Sequence, residues 1–317
     1  MKITSFIVLI SIFQSLGVYA DELRIHVIKP KITLNWNSPA TIATTSGLNS
    51  ISDDFAPIGH FALALNCKRA LPNGVNRVLT GMERVDKVES RRITINEKLG
   101  LGGVIYPFRG NLVSAKVSKD EIAKAKKQKR LKTVIVPISQ VDCYRGLQFI
   151  EKWIKSASYK VYGGNKDTLH GEGAGCADFM SILFKVITGR EHPNAWYVKV
   201  RIPKNLVGNG SDIRIPFSRV LTTFSWAKQT EDHLIYKTAD TDTIYSWLKN
   251  RMRGDVYYYT KHIYRDGVIY SAGESLIDII YRESQRVELS SPLEPFTYQY
   301  NTTAEEEIEV WNSISID

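Results

Sequence analysis

Hydrophobic and polar residues recur with two different periods along the chain, and these periods predict both strands and helices. Short apolar runs bounded by polar residues are typical of buried strands, whereas apolar residues spaced three to four positions apart are typical of amphipathic helices. The predicted strands are Leu23–Ile28, Ile32–Trp36, Pro57–Cys67, Val75–Met82, Ser90–Ile95, Val104–Tyr106, Thr133–Ile138, Asn194–Ile202, Asp255–Tyr264 and Val268–Ser271. The predicted helices are Ser118–Arg130, Val141–Ser156 and Ala177–Ile187. Together these elements predict an α+β fold.

Turn and loop signals separate the predicted elements. Leu71-Pro72-Asn73-Gly74 predicts a tight turn that joins two strands as a hairpin, and Asp266-Gly267 predicts another hairpin. The Ser/Thr/Gly-rich segment that ends at Ser50 and the glycine-rich segment Gly100–Gly103 are predicted loops.

The first twenty residues have the pattern of a signal peptide. Lys2 is followed by a mostly apolar run, and Val18-Tyr19-Ala20 is a small-residue cleavage site. The alternative, an uncleaved anchor, needs about 20 apolar residues, which is longer than this run. We therefore expect cleavage after Ala20 and an exported protein that is periplasmic or secreted.

Composition and charge limit the classes of protein that fit. The chain has 317 residues, of which 43% are hydrophobic and 10% aromatic, so it can bury a substantial core. The net charge of +9 favours an anionic partner or surface. Much of the positive charge lies in the predicted helix from Lys119 to Arg130, which fits an anionic surface but is also typical of a solvated helix face. This helix has no interleaved aromatic residues, so the sequence does not predict a nucleic-acid partner.

Three cysteines in an exported chain can form one disulfide and leave one thiol. Cys67 ends an apolar run and Cys143 lies in a helical run, which makes a bridge between them plausible. The alternative is that all three cysteines are buried thiols.

Cys176 has the context expected of a nucleophile. It follows the glycine-rich run Gly171–Gly175 and stands at the start of a predicted helix. The unpaired N–H groups and the positive dipole end of a helix N-terminus favour a thiolate, and glycines allow a substrate to approach the backbone. A cysteine nucleophile also needs a base. Of the histidines, His60 fits this role best because it follows Gly59 on a predicted buried strand.

The combination of Gly59-His60-Phe61-Ala62-Leu63-Ala64-Leu65 and Gly175-Cys176-Ala177-Asp178-Phe179 resembles the papain-like NlpC/P60 superfamily in its circularly permuted form. In the permuted groups, which include the YiiX-like and lecithin:retinol acyltransferase-like proteins, a Gly-His strand precedes the cysteine helix. The resemblance covers residues 55 to 203. It implies an antiparallel sheet packed against the cysteine helix. The expected organisation is a signal peptide over 1–20, a lead-in over 21–54, a catalytic domain over 55–203 and a C-terminal extension over 204–317.

The resemblance also implies roles for individual residues. Cys176 would attack an acyl carbonyl, and His60 would act as general base and then as general acid. The residue that orients the histidine should lie on the next strand, where Glu83 and Thr80 are the candidates. Histidine, which the acyltransferase group has at this point, is missing from that strand, and Gly175 stands where many relatives have Asn or Asp.

Three functions therefore stay open. The first is an exported cysteine amidase or peptidase that acts on cell-wall peptide. The second uses the same Cys-His pair on a lipid acyl ester or amide, as a hydrolase or acyltransferase. The third is a non-catalytic envelope binding or interaction protein. The sequence has no zinc-binding or nucleotide-binding motif, so neither a metal nor a cofactor is predicted. It does not predict an oligomeric state.

Overall fold

The structure is a computed structural model that describes residues 21–52, 56–163, 167–251, 256–259 and 302–316. The predicted signal peptide lies outside these residues, and so do the predicted strand Val268–Ser271 and the Asp266-Gly267 hairpin turn.

The described chain contains α-helices together with mainly antiparallel strands, as expected of an α+β protein. The strands are β1 (Glu22–Ile28), β2 (His60–Asn66), β3 (Arg77–Thr80), β4 (Met82–Arg84), β5 (Phe108–Leu112), β6 (Leu131–Pro137), β7 (Val161–Tyr162), β8 (Tyr197–Pro203), β9 (His233–Ala239) and β10 (Val256–Tyr258). The α-helices are α1 (Pro39–Ser52), α2 (Lys87–Asn96), α3 (Ala115–Lys127), α4 (Gln140–Lys155), α5 (Cys176–Thr188), α6 (Phe217–Leu221), α7 (Thr241–Lys249) and α8 (Ala304–Ile314).

A five-stranded sheet forms the centre of the fold, with strand order β10-β6-β1-β2-β3. All of its strand pairs are antiparallel except β10–β6, which is parallel. The middle strand β1 places Ile25 beside Leu63 of β2 and Val134 of β6. The alternating burial of β1 follows from its alternating apolar residues, which all point to one face of the sheet.

Helices cover both faces of this sheet. On one face, apolar residues of the sheet pack against α4 and α5, where the rings of Phe149, Trp153 and Phe179 contact one another. On the other face, small residues of β2 such as Ala64 pack against Ala115 of α3. The two helical layers therefore lie on opposite faces of β2.

Two smaller sheets stand beside the central one. One has the order β4-β5-β7, and the other is the antiparallel pair β8-β9. The turn predicted at residues 71–74 joins β2 to β3, which pair antiparallel and confirm the predicted hairpin.

Several predicted elements differ from the structure. Ile32–Trp36 forms no strand, and the predicted loop that ends at Ser50 is largely the helix α1. Residues 90–95 belong to α2 rather than to a strand. The reason is that the Asp86 carboxylate accepts a hydrogen bond from the Glu89 N–H at 2.7 Å and so caps a helix, which outweighs the β-branched residues.

Two further boundaries are corrected by local backbone structure. The predicted loop at residues 100–103 and strand at 104–106 give way to a 3₁₀ turn, Leu101–Val104. Helix α3 begins at Ala115, because the hydroxyl of Ser114 accepts a hydrogen bond from the Val117 N–H, so the predicted start at Ser118 lies inside the helix.

The sheets join segments that the predicted domain boundaries separate. β1, from the predicted lead-in, lies between β2 and β6. β8 and β9 lie on either side of the predicted boundary at 203/204 and pair along their full lengths. Trp311 and Ile314 of α8 are buried in the main core. Residues on both sides of the predicted divisions at 54/55 and 203/204 therefore contribute to the same sheets and core.

A disulfide joins Cys67, just after β2, to Cys143 in α4, and Cys176 is a free buried thiol. The Cα atoms of the bridged residues are 5.6 Å apart, a usual separation for a disulfide. The structure thus contains the bridge that the sequence made plausible. No helix in the described part of the chain is long and apolar enough to cross a membrane.

Candidate functional site

Helix α5 begins at Cys176, as the sequence predicted to within one residue. Gly175 is its N-cap, and the carboxylate of Asp178 accepts a hydrogen bond from the Gly175 N–H at 3.4 Å. Gly189 ends the helix in the left-handed conformation with φ 67°, and its N–H donates to the carbonyl of Lys185. The glycines and the acid at the third helical position together fix where the cysteine stands.

The glycine-rich approach to α5 packs tightly against β7. Gly173 has φ 103°, and a Cβ at this position would lie 2.6 Å from the carbonyl oxygen of Val161. Only glycine fits this combination of conformation and contact. The approach is therefore a fixed connection that holds Cys176 beside β7.

Three hydrogen-bond donors surround the Cys176 thiol. The hydroxyl of Tyr162 lies 3.8 Å from Sγ, and the backbone N–H groups of Phe61 and Ala177 are close enough to the sulfur to lower the pKa of the thiol. These donors lower the pKa of the thiol, but burial raises it more, and Asp178 also raises it. The resting group is a protonated thiol in an environment that is prepared for negative charge on sulfur.

Arg84 of β4 lies beside this group. Its guanidinium carbon is 4.1 Å from the centre of the Phe108 ring and 5.3 Å from the centre of the Tyr162 ring. Burial lowers the pKa of Arg84, while Tyr162, Cys176 and Tyr236 raise it through their negative forms. The positive charge is thus close to the tyrosine whose hydroxyl contacts the thiol.

Asp178 is the carboxyl group whose charge acts on the pKa of the thiol. Burial raises the pKa of Asp178 itself to about 6, although the hydrogen bond from Gly175 acts in the opposite direction. A carboxyl with this pKa is mostly ionised at neutral pH and can accept a proton. The resemblance assigned no role to Asp178, although its position two residues after Cys176 is the usual place for an acid that caps a helix.

His60 does not lie beside Cys176 in this structure. Side chains alternate along β2, so Phe61 enters the core that contains Cys176, while Ala62 enters the core on the face of α3. His60 shares the face of Ala62, and its Nε2 lies 3.8 Å from Oε2 of Glu121 in α3. The structure therefore does not form the Cys176–His60 pair that the resemblance implied.

The surroundings of His60 also differ from those of a general base. Burial lowers its pKa to about 4, with a smaller contribution from the charge of Lys87. The ring is therefore neutral at pH 7, and its contact with Glu121 is not an ion pair at that pH. The sequence pattern gives no sign of this contact, because spacing along the chain does not show that α3 covers the start of β2.

The two candidates for the third residue have structural partners instead. Thr80 is buried, and its hydroxyl donates to the carbonyl of Val113 at 2.8 Å. The Glu83 carboxylate lies 3.5 Å from Nζ of Lys87, four residues further along the chain. Among the contacts of the described residues, neither side chain bonds to His60.

A second polar group lies one turn further along α5. The hydroxyl of Ser181 is 2.8 Å from Nε2 of His192, and the His192 ring stacks on Tyr197 at 4.1 Å. The same hydroxyl also lies 2.8 Å from the carbonyl oxygen of Ala177, to which it donates. This proton is therefore used inside the helix, and the contact with His192 holds the turn after α5 in place.

The described residues contain no group of three or more His, Cys, Asp or Glu side chains that could hold a metal ion. Comparisons of the chain with protein-family models, with curated proteins and with solved structures found no match. The chemistry proposed below therefore rests on the residues of this chain.

Proposed function

We propose that this chain is a cysteine hydrolase in which Cys176 forms an acyl-enzyme. The observation that carries the proposal is the Tyr162 hydroxyl 3.8 Å from its sulfur, together with the N–H groups of Phe61 and Ala177, which lower the pKa of the thiol. Donors to the sulfur stabilise the thiolate, which is the nucleophilic form of a cysteine.

The permuted papain-like arrangement is part of this proposal. It is supported by the order of the elements, because a Gly-His strand precedes a cysteine helix. It is also supported by the packing of α5 against the antiparallel strands around β2. The position of His60 departs from that arrangement, so the proton transfer must use another group.

Asp178 is the group that we assign to proton transfer. Its carboxylate accepts the thiol proton as Sγ attacks the acyl carbonyl carbon and the C–S bond forms. The carbonyl π electrons move to oxygen, and this oxyanion accepts hydrogen bonds from the Ala177 N–H and the Tyr162 hydroxyl. Collapse of the intermediate expels the leaving group, which takes the proton from Asp178. Water, deprotonated by the same carboxylate, then releases the acid and restores the thiol.

The experiment compares turnover of a p-nitrophenyl ester by four proteins. Wild type is expected to turn over in a thiol-dependent manner, whereas Cys176→Ala has no activity above background. We expect Asp178→Asn to lower kcat by about 100-fold or more, in line with the loss of a general base. His60→Gln is expected to stay within about threefold of wild type if Asp178, and not His60, moves the proton. Full activity of Cys176→Ala overturns the proposal.

Two substrate classes belong to this proposal, cell-wall peptide and a lipid acyl group. The basic helix α3 was the feature that suggested a lipid surface, and Lys119, Lys124, Lys126 and Lys127 on it are exposed. However, α3 packs on the opposite face of the sheet from α5. A membrane bound through α3 would therefore face away from Cys176, which favours the peptide.

A non-catalytic envelope binding protein is the second candidate. Burial of the Cys176 thiol, which raises its pKa, is the observation that favours it. In that case the Cys176 thiolate of the folded protein reacts with iodoacetamide no faster than an ordinary thiolate, once the pKa of each thiol is taken into account. The protein then also turns over no ester.

A further inference from the structure

Arg84 places a positive charge beside the candidate site. Within the part of the chain that the structure describes, the Arg84 guanidinium has ring contacts with Phe108 and Tyr162 but neither a hydrogen bond nor an ion pair. It is partly buried, and this burial lowers its pKa below the ordinary value for arginine. A partly desolvated charge without a partner is unfavourable, so an arginine in this state is suited to receive an anion.

The geometry directs that anion towards Cys176. β4 pairs with β5, and β5 pairs with β7, so Arg84, Phe108 and Tyr162 are neighbours in one small sheet. The Tyr162 ring is 5.3 Å from the guanidinium carbon, and its hydroxyl is 3.8 Å from Sγ. Cys176, at the N-terminus of α5 with its positive dipole end, is near enough to Arg84 for its thiolate to raise the pKa of the arginine. The guanidinium lies over the face of the Phe108 ring, a contact that stabilises its positive charge and helps to hold the side chain in place.

We propose that Arg84 is a substrate-binding residue that recognises a carboxylate or phosphate group close to the carbonyl attacked by Cys176. That the bound anion is part of a substrate rests on the proposed function, whereas binding of an anion by Arg84 does not depend on turnover. A planar guanidinium binds either oxyanion through two hydrogen bonds. The carboxylate would come from a peptide and the phosphate from a phospholipid headgroup.

Alkylation with two matched reagents tests the anion site directly. Iodoacetate and iodoacetamide are similar in size, and both form a C–S bond with the thiolate while iodide leaves. Because both reagents react with the thiolate, the ratio of their rates does not depend on the ionised fraction of Cys176. The ratio therefore reports whether the site favours a negatively charged reagent over a neutral one. The reference is the same protein in urea without reductant, where Cys67 and Cys143 stay bridged and only Cys176 is labelled.

We expect the iodoacetate-to-iodoacetamide ratio of folded wild type to exceed the urea value by about tenfold, which corresponds to about 1.4 kcal/mol. Arg84→Gln should return the ratio to within about twofold of the urea value, and Arg84→Lys should keep part of the preference. The matched control is Arg109→Gln, which removes an equal charge from an exposed position on β5 and should leave the ratio unchanged.

Protection from labelling then distinguishes the two anion sources. N-acetyl-alanylalanine represents the peptide carboxylate, and dihexanoylphosphatidylglycerol represents the phospholipid. If one of them slows the labelling of Cys176 in wild type but not in Arg84→Gln, the proposal is supported and the source of the anion is identified. The amide of the dipeptide, which has no carboxylate, should give no protection. Protection by neither of the two anions contradicts the proposal.

Other results separate this inference from the proposed function. An iodoacetate preference that depends on Arg84, together with no ester turnover, means that the anion site exists and the hydrolase proposal fails. Turnover without an Arg84-dependent preference means the reverse. An unchanged ratio in Arg84→Gln, or a folded protein in which neither reagent reaches Cys176, overturns the inference.

Discussion

His60 and Cys176 lie on opposite sides of strand β2, with the His60 ring next to Glu121 of α3 and the Cys176 sulfur next to Tyr162 of β7. The residue that follows His60 in the chain, Phe61, is near the thiol, because its N–H lowers the pKa of Cys176. Sequence proximity to the site is therefore not the same as participation in it.

Replacing Tyr162 should affect the thiol more than replacing His60. We expect His60→Gln to label with iodoacetamide at pH 7.5 within about twofold of wild type. Tyr162→Phe removes a hydrogen-bond donor to sulfur, which raises the thiol pKa and slows labelling about three- to tenfold, the effect of about 1 kcal/mol. The measurement is the rate of labelling at Cys176 by mass spectrometry across pH 6 to 10. A large slowing in His60→Gln and none in Tyr162→Phe would restore His60 as the base.

Asp178 should make the protein less stable as pH rises through the range near 6. Its pKa in the fold is about 6, above the ordinary 3.8, so the folded state binds the proton more tightly than the unfolded state does. The stabilisation is complete below pH 3.8 and is lost as pH rises through 6. Asp178→Asn has no group that titrates at this position. The free energy of unfolding of the variant minus that of wild type should therefore increase by about 2 to 3 kcal/mol between pH 4 and pH 8.

Urea unfolding at several pH values checks this difference. Asp120→Asn is the matched control for the change of charge, because it makes the same replacement at an exposed acid on α3. A stability difference for Asp178→Asn that does not change with pH would show that the carboxyl is not desolvated.

The disulfide should contribute strongly to stability. Cys67 and Cys143 are 76 residues apart in sequence, so the bridge restricts a long loop in the unfolded chain. The chain-entropy relation gives about 4.5 kcal/mol for a loop of this size. Reduction with dithiothreitol, or the double change to Ala, should lower the urea midpoint accordingly. Cys176→Ala serves as control: it should keep the full response to dithiothreitol, whereas a midpoint that ignores reduction would mean that the bridge is not formed.

Gly173 should be among the least replaceable glycines of the chain. Its φ of 103° and the 2.6 Å that would separate an added Cβ from the Val161 carbonyl oxygen are both incompatible with alanine. We expect Gly173→Ala to cost about 3 kcal/mol or more. Gly74→Ala is the control, because Gly74 also has a positive φ, 85°, but no atom lies within 4 Å of its Cβ position, so only the backbone strain of about 1 kcal/mol remains. Equal losses in both variants would refute the close approach.

Local patterns in the sequence predicted the elements that depend on local interactions. The apolar runs identified β1, β2 and β6, and the glycine-rich approach placed the start of α5 within one residue. The strand predicted at residues 90–95 is wrong, because the capping acid Asp86 has more influence on the backbone there than the apolar pattern does. Capping is a local signal and could have been recognised from Asp86 and Glu89.

The site depends on interactions that no local pattern contains. Arg84 and Tyr162 are brought together by the register of two short strands on either side of β5, and neither belongs to a motif. Glu121 meets His60 only because α3 folds back over β2. A histidine after a glycine on an apolar strand was the reason to consider His60 as a base. Whether it lies on the same face of β2 as Cys176 depends on how α5 packs against the sheet, which the sequence pattern does not show.

The most direct test of the central claim is to look for the acyl group on Cys176. Wild type is mixed with p-nitrophenyl acetate, quenched in acid within one turnover, and its intact mass and peptides are measured. A mass increase of one acetyl group at Cys176, absent in Cys176→Ala and longer-lived in Asp178→Asn, is the predicted result. Ester cleavage with no acetyl group on Cys176, or with an equal acetyl yield in Cys176→Ala, would contradict the account.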